Sequence, residues 1–256
     1  KEMSILHSFY CWGFVTVIII STLFFHIFGI EEWRIMAKLW MLVPLVNMIA
    51  FFFVPIYDIV PEDKKMGKTK MFSSGIFWLL FFMMIASGAS EQAVGQWASA
   101  FAETGLNITK TIGDLAGPCL FAFMQGTSRL IFGKYGERIN LKKMMTASAV
   151  LCCICYLATS LSPYPVLSLV GCALTGFSVG IFWPGTFSIA AGVLPGGGTA
   201  MFAFLALAGC SVGPSLAGFV ADATGGRINM GILAAIIFPV FMLVSLMVLR
   251  RRDSKH

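Results

Sequence analysis

The chain has 256 residues, of which 58% are hydrophobic and 12% charged, about half the charged share of an ordinary soluble domain. From Met144 to Ala221 it holds no Asp, Glu, Lys, Arg or His, an uncharged length that no soluble fold hides, so a soluble enzyme or soluble binding domain is excluded. The formal charge of +6 does not point to nucleic acid, because the basic residues gather in short loops, where Lys and Arg set membrane topology.

Eight spans are expected. The first runs from about Ile5 to Phe28, with His7 and His26 near its ends, and the second from about Leu39 to Tyr57, containing Pro44 and Asn47. Asp58 to Lys70, with Lys64, Lys65, Lys68 and Lys70, is the long charged linker and reads as a hydrophilic hinge between two bundles. The third span, about Phe72 to Phe101, and the fourth, about Ile112 to Phe132, follow. The fourth includes Gly113-x-x-x-Gly117, a spacing that lets helices approach closely. After the basic loop 133–143, the breakers at 162–165 and 194–199 divide the uncharged block into spans of about Met144–Leu161, Val166–Gly192 and Ala200–Ala221. The last span, about Met230 to Leu249, ends in Arg250, Arg251 and Arg252. With Lys1 cytoplasmic, only Arg34, Lys38, Lys110 and Arg227 of the 18 Lys and Arg fall in outer loops. That asymmetry supports the span count and places both ends on the cytoplasmic side.

The stretch Ala86–Glu103, inside the third span, organises the chain. At about 100° per residue, Gly88, Gln92, Gly95, Gln96, Ser99 and Glu103 share one narrow face. Polar side chains on a membrane helix face protein or water, since lipid cannot satisfy them. They either line a solute cavity or bond to neighbouring helices. Glu91, about two-thirds along the expected span, is the candidate for carrying a coupling proton. Gln92 and Gln96 suit a hydroxyl-rich ligand, because an amide donates and accepts together. Trp97 either stacks on a solute or anchors its helix at the interface.

The seven cysteines all fall in expected spans. Cys152, Cys153 and Cys155 sit in an apolar helix with no His or carboxylate nearby, so buried thiols are expected rather than a metal site or a disulfide framework. Gly176-Phe-Ser178-Val-Gly180 matches a hydrolase nucleophile string, yet His7, His26 and His256 lie near span ends or in the tail. Helix packing through Gly176-x-x-x-Gly180 explains the string better. No enzyme, cofactor, metal or nucleic-acid partner is expected.

Segment 126–143, GTSRLIFGKYGERINLKK, resembles the loop signature of the major facilitator superfamily, with Lys134, Gly136 and Arg138 fitting the pattern. Gly133 stands where an Asp is usual and Arg129 where a Gly is usual. Segment 180–222 looks like the tenth and eleventh helices of that superfamily, with Pro184, Gly213, Pro214 and Gly218 where the family bends or closely packs helices. Glu91-Gln92-x-x-Gly95 is similar to the Gln-Gln-x-x-Gly pattern of its sugar-carrying members, and the whole stretch to the fucose-permease-like branch of sugar–cation symporters. The family's following Asn is replaced here by Trp97.

The resemblance implies an all-α membrane protein of eight transmembrane helices, corresponding to helices 5–12 of the major facilitator fold. Residues 1–57 would be the last two helices of the N-terminal bundle, 58–70 the cytoplasmic linker, and 71–256 the C-terminal six-helix bundle. The start at Lys1, without Met, fits a fragment whose first four helices belong to the same protein. The implied function is secondary transport of a small polar solute, such as a sugar, with a proton or other cation, across a plasma or bacterial inner membrane by alternating access. Gln92, Gln96, Trp97 and Ser99 would bind solute, Glu91 would couple the proton, and Arg129, Lys134, Gly136 and Arg138 would form the cytoplasmic gate. A non-transporting membrane receptor or scaffold is the rival reading.

Overall fold

The computed structural model describes residues 2–55, 67–194 and 199–253, and among them there is no strand. Most of the expected linker 58–70 and the breaker at 195–198 therefore lie outside the described residues.

Helix α1 (Glu2–Phe28) is followed by a short 3-10 turn and α2 (Trp33–Phe51). Next come α3 (Lys68–Phe72), α4 (Gly75–Gly95) and α5 (Ala98–Ala100), the last running into a π-turn, Phe101–Gly105. Helix α6 (Lys110–Asp114) passes through a second π-turn, Leu115–Cys119, into α7 (Leu120–Tyr135). The remainder is α8 (Leu141–Leu161), α9 (Pro165–Val179), α10 (Phe182–Val193), α11 (Thr199–Ala223), α12 (Ile228–Ala234) and α13 (Ile237–Asp253).

Among the described residues, six helical segments are long and apolar enough to cross a membrane: Ser4–Phe28, Ile30–Phe51, Gly75–Gly105, Leu141–Leu161, Pro165–Val193 and Ile228–Arg252. This differs from the eight expected. The rod from Lys110 to Tyr135 carries Lys110, Asp114, Arg129 and Lys134 and is correspondingly polar. It lies among α1, α5 and α9, where protein rather than lipid meets much of its surface. In α11 the described apolar stretch is the shorter Leu207–Ala223.

Several rods are broken where proline removes a backbone donor. Pro184 leaves the Gly180 carbonyl without its intrahelical N–H, and the break between α9 and α10 falls there. Pro239 does the same for Ala235, at the break between α12 and α13. Pro118 sits inside the second π-turn. The turns after the first π-turn and after α11 use left-handed backbone at Asn107 (φ 60°), Gly225 (φ 78°) and Gly226 (φ 83°), which Asn and Gly tolerate. Asn140 caps α8, its Oδ1 accepting from the Lys143 N–H at 3.0 Å.

Close packing depends on glycine. An added Cβ at Gly209 would lie 2.1 Å from the Ile85 carbonyl oxygen and one at Gly213 2.4 Å from that of Ala89, so α11 presses directly on the α4 backbone. Gly113 and Gly117 lie against Ala102 and Ala98, the close approach that their spacing predicts. Gly176 and Gly180 set α9 against α7 in the same way. A Cβ at the first would meet the Phe121 oxygen at 2.2 Å, and one at the second would meet Ser128 Cβ at 2.9 Å. Ser178 between them is fully buried, its hydroxyl donating to the Thr175 carbonyl. Helix packing accounts for the whole Gly-x-Ser-x-Gly string.

The core gathers around α4, α8 and α13, where Phe77, Met83, Met84, Met145, Tyr156 and Met242 are buried. Helix α2 stands apart from it. Its contacts are chiefly with α1 and the short turn between them, including a Trp40 indole N–H donated to Ser21 Oγ at 3.0 Å, and its side chains are almost all exposed.

Candidate functional site

Glu91 lies close to the middle of the Gly75–Gly105 rod, roughly 24 Å by helical rise from Gly75. It is 8% exposed, and Arg129 on α7 is 3% exposed. The two form an ion pair, Arg129 Nη2 to Glu91 Oε2 at 3.2 Å. Charges at membrane depth need such partners, and Arg129 has three. Its Nη1 donates to the His7 carbonyl of α1 at 2.8 Å, and its Nε to the Gly180 carbonyl at 3.1 Å. Gly180 O is the acceptor that Pro184 leaves free, so the broken helix supplies the group that orients the arginine. Tyr10 contributes its ring face, 5.9 Å from the guanidinium carbon. Glu91 Oε1 accepts from the Gln92 amide at 3.2 Å.

These groups open onto a cavity of about 600 Å³. Its polar lining is His7, Glu91, Gln92 and Arg129, and the rest includes Leu6, Tyr10, Trp183 and Leu207. The His7 and Trp183 rings lie 3.9 Å apart, and Phe187 stacks behind Trp183 at 5.4 Å and 15°.

A second, more open space of about 760 Å³ follows the seam between α4 and α11 and meets the first at Cys210. Gln96, Trp97, Ser211, Ser215 and Asp222 line it. Trp97 crosses this seam: its indole N–H donates to the Pro214 carbonyl at 3.0 Å, and its ring would leave only 2.9 Å to a Cβ added at Gly218. A third space, about 330 Å³, lies between α1 and α6, lined in part by Gln96, Ser99, Lys110 and Asp114. Ser99 donates its hydroxyl to Asp114, and the Lys110 ammonium reaches both at 3.0 Å.

The expected polar face is thus divided. Gly88 and Gln92 line the large cavity, Gln96 borders the other two spaces, and Ser99 is engaged between helices. Cavity lining and bonding between helices thus fall on different turns, because the rod breaks at Gln96–Trp97. Of the expected gate residues, Lys134 and Gly136 stand at the end of α7 and Arg138 just beyond, with Lys134 Nζ 5.4 Å from the Tyr135 ring. Arg129 stands apart from them, in the interior with Glu91. Gly133, where the loop signature usually has Asp, faces Ile5 so closely that a Cβ would approach its Cγ1 to 2.5 Å. Pro184 falls at the break between α9 and α10, and Gly213 and Gly218 at close contacts, whereas α11 runs unbroken through Pro214, whose carbonyl accepts from Trp97.

Sequence reasoning missed the pairing of Glu91 with Arg129 and the roles of Tyr10, Trp183 and Cys210. One signal was available: an arginine within a membrane-length rod requires an acceptor, and Pro184 announces a free carbonyl.

Membrane-length apolar helices broken by proline and glycine around an interior charged cavity define a multi-span helical membrane protein. The family model of the Major Facilitator Superfamily matches residues 105–256, more than half of the chain, and the chain belongs to that superfamily. No curated protein and no solved structure matches it.

Proposed function

We propose that the protein is a secondary transporter that carries a small solute with a polar group through the cavity at Glu91, Gln92 and Arg129, driven by a proton and working by alternating access. The single observation carrying this reading is the buried Glu91–Arg129 pair lining a solute-sized cavity near mid-helix. A buried ion pair contributes little net stability, so its presence at this depth fits function. The broken rods α9–α10 and α12–α13 and the glycine seam between α4 and α11 support movement of packed helices. A sugar is the specific solute suggested by Gln92, whose amide suits hydroxyls.

Four further helices of the same protein would complete the fold and close the open side of the cavity. Asn47 supports this. It is exposed in the last third of the apolar α2, where lipid would leave its amide unsatisfied and a protein partner would not.

The test is uptake of a panel of labelled sugars and other small polar solutes by vesicles holding the full native chain, with and without an inward proton gradient. Gradient-driven accumulation is expected. Glu91→Gln should abolish accumulation against a gradient while leaving solute exchange. Solute binding without flux in the full chain would remove the transport reading.

A further inference from the structure

Within that transport reading, the geometry points to a narrower solute class: a small organic carboxylate with a flat apolar body, which takes the place of Glu91 on Arg129 when Glu91 takes up a proton.

Three observations carry this. First, the guanidinium is fixed independently of Glu91. Two backbone carbonyls from different helices, His7 O and Gly180 O, hold Nη1 and Nε. Neither carbonyl carries a neutralising charge, so the cation stays in place whatever Glu91 does. Secondly, Glu91 meets Arg129 through one contact only, Nη2 to Oε2 at 3.2 Å, and its other oxygen is held by neutral Gln92. A single contact exchanges more readily than a bidentate fork. Thirdly, the cavity beside this pair is walled by Leu6, Tyr10, Trp183 and Leu207, with an aromatic stack formed by His7, Trp183 and Phe187. Such a wall suits a flat apolar body.

The charge balance selects an anion. A proton added to Glu91 forms a neutral carboxylic acid and leaves Arg129 as an uncompensated cation in an apolar, largely buried place, which is strongly unfavourable. A solute carboxylate restores neutrality by accepting from Nη2. A neutral sugar, which the Gln92 amide taken alone would suit, would leave the charge uncompensated, so Arg129 rather than Gln92 decides the class, and a cationic solute would add to the charge. The loaded site then holds one proton and one anion more than the empty one, and carrying both moves no net charge. On the other side the proton leaves Glu91 and the restored carboxylate displaces the solute from Arg129. The titratable and charged groups that face Glu91 are His7, Tyr10 and Cys11 from α1, Arg129 from α7 and Cys210 from α11, while Tyr156 of α8 donates to the adjacent Ser90 carbonyl. Arg129 is the only permanent charge among these described groups.

Benzoate is the probe, and benzamide its uncharged control, with binding to the purified full chain measured by calorimetry between pH 5.5 and 7.5. Benzoate is expected to bind with uptake of one proton, its affinity falling about tenfold per pH unit wherever Glu91 is ionised in the empty site. Benzamide should bind at least tenfold more weakly and without pH dependence. In Glu91→Gln, benzoate should bind tightly at every pH with no proton uptake. Arg129→Lys retains charge but not the fork, and should weaken benzoate more than benzamide. Equal binding of benzoate and benzamide would overturn the proposal, as would an unchanged pH slope in Glu91→Gln, or failure of benzoate, hexanoate and cinnamate all to bind. Flux of a neutral sugar with no response to these acids would overturn the anion assignment and leave the transport reading intact. Proton-linked benzoate binding without flux in vesicles would sustain the assignment and remove transport.

Discussion

Arg129 joins three separate parts of the chain, because each of its three nitrogen atoms donates to a different one. Lysine would bring charge but only a compact ammonium, unable to reach the His7 carbonyl, the Gly180 carbonyl and Glu91 together. Arg129→Ala leaves Glu91 buried and unpaired, and a loss of about 3–5 kcal/mol is expected. Glu91→Gln keeps an acceptor near Nη2 but leaves the buried guanidinium uncompensated, and a guanidinium cannot shed its charge as a carboxylate can, so its loss should be at least as large. Thermal unfolding in detergent, followed by helical circular dichroism, ranks the two. If Arg129→Ala unfolded at the wild-type temperature, Arg129 would be an ornament of the helix rather than its tie. The partnership is not legible in the sequence because it joins residues far apart along the chain. Local spacing places Arg129 with Lys134 and Arg138 at the end of a helix, and nothing local shows that its side chain turns inward. The amide of Gln92, by contrast, is legible, because a polar face on a membrane-length helix has few places to go.

Whole elements read best where one residue type decides the geometry. Gly113, Gly117, Gly176 and Gly180 sit at close helix contacts that their spacing announces, and Gly213 at one that the family resemblance implies. The positions of the breaks are less legible. Pro184 marks a bend, but the turn it produces lies around Gly180 and Ile181, where its missing N–H should have been received, and this carbonyl then serves Arg129. The break at Gln96–Trp97 has no proline to mark it. Two substitutions separate close contact from simple helix propensity. Gly213→Ala places a methyl 2.4 Å from the Ala89 oxygen, so α11 must move away from α4, and a loss of about 1–3 kcal/mol is expected. Gly192→Ala meets nothing within 4 Å, so it should gain up to about 1 kcal/mol from helix propensity. Matched melting curves check the pair, and equal shifts in one direction would refute the distinction. At Pro184, alanine restores an N–H that competes with Arg129 Nε for the Gly180 carbonyl. Slower solute exchange in vesicles is the expected result, with the helix content unchanged.

On the scale of the whole molecule, the wider space along the seam between α4 and α11, bordered by Asp222, shares Cys210 with the interior cavity, and the orientation expected from the basic residues would place it toward the outside. Cys210 borders both spaces and is only half-buried. Trp97 spans the seam just beyond it, held by the Pro214 carbonyl and packed on Gly218. This arrangement makes Cys210 a reporter of the route. In the full native chain, a membrane-impermeant thiol reagent applied from the outside should modify Cys210, and a solute bound at Arg129 should slow that modification. Trp97→Phe keeps an aromatic ring on Gly218 but loses the indole N–H, so the seam is held by one contact fewer and Cys210 should react several-fold faster. Mass spectrometry of the labelled peptide gives the rate at this cysteine independently of the half-buried Cys153. Modification from the inside alone would reverse the direction assigned to the seam. An unchanged rate in Trp97→Phe would mean that the glycine contacts between α4 and α11, rather than the indole hydrogen bond, determine access to the cavity.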